Sequence, residues 1–295
     1  MCRINPRVDF AFKKLFGTES NKMLLIDLIN SIVSEEDQVK ELELKNPYNE
    51  KNFRNDKLSI LDIKATDQRG NWYNIEMQVM DQEYFDKRAL YYWSRLYSGQ
   101  LSEGINYDNL KKTISINILN FRCLEDEEEY HNVYKLLNIE SKKEFLEHLE
   151  IHFIELEKYD KKMSTMLDRW VNFLKKAEEY NRNKLPKELA EVDSIKKAVG
   201  LLDEMSLNKE ERESYEARLK WLRDEEAALK TAENKGFKRG IERGIKEGIK
   251  EGIKEGIKEG KLEIAKSLLD ILDIKTISEK TGLSENEIKG LKLKE

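Results

Sequence analysis

Cysteine, histidine and proline are scarce in this 295-residue chain, with two, three and three residues respectively. Cys2 and Cys123 cannot build a disulfide framework, and so few thiols and imidazoles leave little room for a structural zinc site. No apolar run approaches the roughly 20 residues that span a bilayer. The opening Met1-Cys2-Arg3-Ile4-Asn5-Pro6 has no apolar segment of the signal-peptide kind. Together these absences point to a cytoplasmic protein. An excess of positive charge is also missing: 53 Lys+Arg stand against 58 Asp+Glu, a net charge of -5. No global basic field advertises nucleic acid, so any such site must be local. What the chain does have is 39% hydrophobic residues, which suffices for a core and excludes wholesale disorder. The length allows one to two domains at roughly 150 residues each.

Composition divides the chain into four regions. Residues 1–160 hold most of the aromatic and β-branched runs, and 161–234 are Lys/Glu/Leu-rich and helical in character. Residues 235–261 are a four-residue repeat, and 262–295 form a short tail with apolar periodicity. Helical spacing predicts helices over 9–16, 23–33 and 84–101. Alternation predicts strands over 58–66, 72–79 and 113–120, another starting near Ile151, and a short extra strand at 41–45. Interleaved helices and strands of order α-β-β-α-β-β indicate an α/β layer architecture. Trp170, Phe173 and Leu174 share one helical face, as do Tyr215, Leu219 and Leu222, and both faces are expected to pack on the first region. Pro186 is placed to open a helix over 187–205.

The most informative segment is the hairpin of 58–66 and 72–79. A three-residue hairpin loop commonly ends in a residue of positive φ, where glycine is least strained. Taking Gln68-Arg69-Gly70 as that loop pairs Asp67 with Asn71, Lys64 with Asn74 and Asp62 with Glu76. Leu61, Ile63 and Ala65 then share a core face with Tyr73, Ile75, Met77 and Val79. Asp62, Lys64 and Thr66 share the other, expected to be solvated, with Asn74, Glu76 and Gln78. Carboxylates directly opposite each other, with Cβ atoms ~4.5–5.5 Å apart, repel. A cation between them accounts for the pair, and Mg²⁺ takes one or two carboxylates plus water and substrate phosphate. Mn²⁺ and Ca²⁺ accept similar ligands. The alternation alone is equally that of an ordinary hairpin with one wet face.

Asp62, followed after thirteen residues by Glu76-Met77-Gln78, resembles the active-site hairpin of PD-(D/E)XK nucleases. More narrowly, the run from Asn5-Pro6-Arg7-Val8-Asp9 through Lys13-Lys14-Leu15-Phe16-Gly17 resembles the recombination-promoting nuclease and putative transposase branch. So do Leu61-Asp62-Ile63-Lys64, Asn74-Ile75-Glu76-Met77-Gln78, Arg88-Ala89-Leu90-Tyr91-Tyr92-Trp93 and the Gly-Ile-Lys-Glu repeat. The resemblance implies a mixed sheet flanked by helices, followed by a helical C-terminal region. It also implies a metal-dependent endonuclease acting on double-stranded DNA and tied to recombination or transposition. The other reading of the same fold is a catalytically silent protein that binds DNA or oligomerises. Asp62 and Glu76 match the metal-binding acids, with Mg²⁺ as the expected cofactor. Asp9 matches an acid on the first helix that assists the site, and equally suits a first-turn acid. The motif's final lysine is Gln78 here, as in the resembled branch; its amide can orient water or bind phosphate oxygen. Lys64, on the same face, can restore the missing charge or merely screen the two acids.

Residues 1–120 carry 17 Lys+Arg and 18 Asp+Glu, so DNA contacts need local cations. Lys13 and Lys14 on the first helix are candidates, as are Arg88, Tyr92 and Arg95, which share a face at i, i+4, i+7. His148 and His152 are four apart, but the alternation after Ile151 indicates strand and not a helical metal pair. Gly236 to Gly260 recur every four residues with Ile241 to Ile257 in step. Glycine inside a helix costs about 1 kcal/mol relative to alanine. A period of four overshoots the 3.6-residue turn, so the stripe precesses by about 40° per repeat. The repeat reads as a helical linker or as a seam for self-association into a homo-oligomer. Residues 277–292, with Thr281-Gly282-Leu283-Ser284 as a turn, resemble a helix-turn-helix fragment but lack its long basic second helix, which favours a small structural hairpin.

Overall fold

The computed structural model describes residues 4–45, 62–81, 83–205, 207 and 209–292. In chain order these form α1 (Asp9–Phe16), α2 (Lys22–Ile32), β1 (Leu42–Lys45), β2 (Ile63–Asp67), β3 (Trp72–Gln78) and α3 (Phe85–Ser98). Then follow β4 (Thr113–Leu119), β5 (His131–Lys135), β6 (Leu149–Glu155), α4 (Met166–Lys176), α5 (Lys187–Ala190) and α6 (Asp193–Glu204). The last are α7 (Lys209–Leu268), α8 (Ile274–Thr281) and α9 (Glu285–Lys292). Residues 58–61 of the expected first hairpin strand, and Cys2, lie outside the described residues. Among the described residues no helix is long and apolar enough to cross a membrane.

The strands form one mixed sheet of order β1-β2-β3-β4-β6-β5. β1, β2 and β3 are antiparallel neighbours, β3, β4 and β6 run parallel, and β5 closes the far edge antiparallel to β6. The extra strand expected at 41–45 is thus one edge of the sheet. The opposite edge strand, β5, breaks the expected element order. Its side chains are half-buried or exposed, so its sequence shows little of the apolar alternation by which strands are recognised.

Each face of the sheet is buried, but differently. Ile63, Ala65, Tyr73, Ile75, Ile114, Ile116 and Ile118 pack against α1, α2 and α4 in the main core. Phe12 packs on Phe16 of α1, Phe16 meets Trp170 of α4 edge-on, and the Trp170 indole donates to Asp27 of α2 at 2.9 Å. The periodic faces read from Trp170/Phe173/Leu174 and Tyr215/Leu222 both enter this core. α3 covers the other face, where Phe85 and Ala89 pack on Leu119, Ile151 and Phe153. The hairpin face expected to be solvated therefore lies under a helix, and Asn74 and Glu76 are only 0% and 2% exposed. Alternation reports which residues share a side, and cannot report that a later helix closes over the polar one.

The helix expected over 187–205 is two. Val192 adopts an extended conformation and separates α5 from α6, which lets both Leu189 and Val192 insert into the core.

The chain divides into two units, residues 1–224 and 225–295. The first contains the sheet, α1 to α6 and the start of α7. In the second, Ala265 of α7 packs with Ile277, Leu283 and Ile288 around the α8–α9 turn. Asp273 caps α8, Gly282 closes it with φ +68°, and Ser284 and Glu287 exchange hydrogen bonds to start α9. The expected boundaries at 234/235 and 261/262 both fall inside α7.

Candidate active site

The loop of the central hairpin sets its register. Asp67 accepts hydrogen bonds from the backbone N–H groups of Arg69 and Asn71 at 2.8 and 2.9 Å, and Gly70 takes φ +82°. The ladder then pairs Lys64 with Asn74 and Ile63 with Ile75, as the three-residue loop requires. One step further, the Asp62 backbone N–H donates to Glu76 Oε1 at 3.3 Å, and Asp62 Oδ2 accepts from the Met77 N–H at 2.8 Å. The two carboxylates are therefore held side by side by each other's backbones.

Their electrostatics are unfavourable. Burial pushes Glu76 up to about 8, and the neighbouring Asp62 charge adds to the rise. Asp62 is also raised, by burial first, against the lowering pull of Lys13. Lys13 Nζ lies 3.2 Å from Asp62 Oδ1. Gly17, at the end of α1, faces the Ile63 side chain closely, so the helix that carries Lys13 lies against the strand next to Asp62. Gln78 Nε2 donates to Glu76 Oε2 at 3.4 Å. On α3, the Arg88 guanidinium lies over the Phe85 and Tyr92 rings, and both Arg88 and Tyr92 are within electrostatic reach of Glu76. The arginine–tyrosine face of α3 thus looks toward the acids.

Of the other residues singled out from the sequence, Asp9 lies near the pair and the rest are engaged in other contacts. Lys64 has its ammonium over the Trp72 ring at 5.1 Å, near the turn end of the hairpin, whereas Lys13 makes the ion pair with Asp62. Lys14 pairs with Glu211 of α7 at 2.8 Å. Asp9, the first residue of α1, pairs with Arg218 of α7 at 3.4 Å and lies close enough to Asp62 to raise its pKa. Arg95 is half-buried on α3. His148 meets the Tyr97 hydroxyl, while His152 bonds Glu150 and His131, so the two histidines do not converge. Burial pushes the Cys123 thiol up to about 11, the opposite of a nucleophile's need.

Two residues that sequence reasoning passed over complete the picture. A cleft of about 40 Å³ is lined by Asp9, Asp62 and Gln78 on one side and Arg218 and Trp221 on the other. The signal for Arg218 was present, because it stands in line with Tyr215 and Leu222 at i+3 and i+7 on the stripe of α7 that packs inward. A wider cavity of about 680 Å³ beside Arg182 and Gly200 has one carboxylate, Glu204, and no acid pair. Chemistry, not volume, selects the smaller cleft.

The donor set fits a hard divalent cation. Among the described residues no group of three or more His, Cys, Asp or Glu converges on one point. Two carboxylates whose charged forms are disfavoured by burial and by each other would be stabilised by such an ion. An all-oxygen pair suits Mg²⁺ or Mn²⁺, which keep several waters.

A mixed sheet covered by helices on both faces, with an acid pair at the end of a central hairpin, is the architecture of a PD-(D/E)XK-type nuclease. The family model described as PD-(D/E)XK nuclease family transposase matches residues 6–232, and the chain belongs to that family. No curated protein and no solved structure matches the chain. The family match stops short of the repeat of 235–261.

Proposed function

We propose that this chain is a metal-dependent DNA endonuclease that hydrolyses phosphodiester bonds during transposition or recombination. The observation that carries the reading is the Asp62–Glu76 pair, two buried carboxylates held at neighbouring strands by backbone N–H groups, both with raised pKa values. Asp62 and Glu76 would hold a divalent cation, which when bound would supply an activated water and polarise the phosphoryl oxygen. Around it Lys13 balances the charge of Asp62, and Gln78 fixes one oxygen of Glu76 while its own amide oxygen remains an acceptor for water. Asp9 stands behind Asp62 as a further acid. Arg88, Tyr92 and Arg95 on α3, with Lys13 and Lys14 on α1, supply the local cations and aromatic surface for backbone phosphates. Hydrolysis joins the water oxygen to phosphorus, breaks one P–O bond, and leaves a phosphomonoester and a hydroxyl.

The test is nicking of supercoiled plasmid by the full chain in Mg²⁺ or Mn²⁺. Asp62→Asn and Glu76→Gln are each expected to lower the rate by on the order of a thousandfold. Lys13→Met should lower it by about tenfold, and Lys64→Met by less than about twofold, because the first pairs with Asp62 and the second lies over the Trp72 ring. Nicking that survives EDTA, or both acid variants cutting at the wild-type rate, refutes the reading.

The repeat supports a second part of the proposal, a homo-oligomer. Ile241, Ile245, Ile249, Ile253 and Ile257 are 46–59% exposed, and a Cβ built on any glycine from Gly236 to Gly260 meets nothing within 4 Å. Such a stripe buries apolar surface only against another helix, and copies of itself match its period. A chain ending at Lys235 should still nick plasmid but sediment as a smaller species than the full chain. Equal oligomeric states in analytical ultracentrifugation would remove this role.

A further inference from the structure

We infer that Arg218, supported by Trp221, is a DNA-phosphate-binding residue at the mouth of the acid cleft, supplied by α7 from outside the sheet. The inference rests on the nuclease reading and adds to it a contact that lies far from the hairpin in sequence. Asp62 lies beside Glu76 and lines the same cleft as Asp9, so negative charge faces an approaching polyanion there and a cation must meet the phosphate. Of the cations already proposed for backbone phosphates, Lys13 pairs with Asp62, Lys14 pairs with Glu211, and Arg88 lies over the Phe85 and Tyr92 rings; Arg218 adds to them at the cleft. Arg218 lines the cleft itself and is 39% exposed at its side chain.

Its setting suits recognition better than stability. The Arg218–Asp9 pair is more than a third exposed at both ends, and ion pairs of that kind contribute little to folding. The pair uses Nε, which leaves the four N–H groups of the two terminal nitrogens to present a planar fork of the shape that matches phosphate. The guanidinium lies 4.4 Å from the Trp221 ring centroid, so aromatic stacking and Asp9 together fix its orientation before any ligand arrives. Trp221 keeps 42% of its surface exposed while Leu222, next to it, is buried in the core. The backbone there is thus anchored, and the indole is held at the surface beside the cleft. The cleft's 40 Å³ holds about one water, so the phosphate sits at its rim, where Arg218 is, and not within it.

The experiment measures binding of the full chain to a fluorescein-labelled DNA duplex by anisotropy, in Ca²⁺ and across a salt series. Arg218→Ala should weaken binding about tenfold and reduce the slope of log affinity against log salt by about one, the signature of one lost phosphate contact. Arg218→Lys should keep the slope and lose part of the affinity. Trp221→Ala should weaken binding while Trp221→Phe retains it. Wild-type affinity and slope in Arg218→Ala overturn the inference, and so does weaker binding with an unchanged slope. A wild-type chain that neither binds nor nicks DNA sinks the nuclease reading as a whole. Binding and nicking by the wild type, with no effect of Arg218→Ala, sinks this inference alone.

Discussion

Two buried groups of charges sit on the same sheet and behave in opposite ways. On the α1/α2 side, Glu150 of β6 meets Lys112 at 2.7 Å, Lys135 at 3.3 Å and His152 at 2.7 Å, and Lys112 continues to Asp37 at 2.5 Å. Burial alone would raise Glu150, but the hydrogen bonds from His152 and Lys112 outweigh it and hold the carboxyl down at about 2. On the α3 side, Glu76 is as deeply buried, yet the charge that acts on it most strongly is another carboxylate, Asp62, and its pKa rises to about 8. The first group is closed on itself, because the protein supplies the cations. The second is left short of positive charge. A buried acid pair that the fold neutralises only in part, with Lys13 at Asp62, marks a place where something else is expected to complete the balance.

The contrast is broken most sharply by removing one partner from each group. Lys112→Met should destabilise the fold by about 3 kcal/mol, because it strands Asp37 and Glu150 in the interior. Glu76→Gln should leave the urea midpoint unchanged or raise it, because it removes the source of repulsion while keeping the shape. A drop in Glu76→Gln as large as that in Lys112→Met would show that the acid pair is structural and would remove the basis of the contrast.

A smaller effect appears in the dependence of stability on pH without divalent metal. Glu150 is depressed from 4.5 to about 2, so its stabilisation is present above 4.5 and is lost as pH falls toward 2. Burial and the neighbouring His152 hold His131 down to about 4 from 6.5, so its share is lost as pH falls from 6.5 toward 4. Glu76 works the other way: its folded value lies above 4.5, so stability falls as pH rises from 4.5 toward 8. Urea melts in EDTA should therefore weaken at both ends of the range. Glu76→Gln should flatten the alkaline side and Glu150→Gln the acid side. An alkaline slope that persists in Glu76→Gln would discard the assignment.

Much of the hairpin was legible because its determinants are local. Gly70 and Asp67 fix the loop, the loop fixes the register, and the register brings Asp62 to Glu76. The buried stripes of α4 and α7 were legible for the same reason, since period 3.6 is a property of consecutive residues. Three things were not. The covering of Glu76 depends on α3 returning over the sheet, a tertiary event without a local signature. β5 is an edge strand with little burial to pattern it. Lys13 touches Asp62 because α1 docks against β2, 49 positions along the chain, whereas Lys64 was singled out because it shares a face of the hairpin with the acids. Contacts between distant segments, including Asp9 with Arg218, are where residue spacing stops being informative.

The contact between the Asn5 N–H and the Tyr215 hydroxyl, 2.7 Å long, joins residues separated by 210 positions. Its consequence concerns time. At about 5–20 residues per second of synthesis, the N-terminal segment waits on the order of 10–40 seconds for α7 to be made. During that interval Lys14, Asp9 and the apolar surface that meets Tyr215 and Leu222 have no helix to close against. The hairpin acids are translated early, and the helix that borders their cleft is translated late. Such a chain finishes its site only once α7 has been made, long after the hairpin, so a product stalled before α7 carries the acid pair without the Arg218–Trp221 rim that we assign to holding DNA.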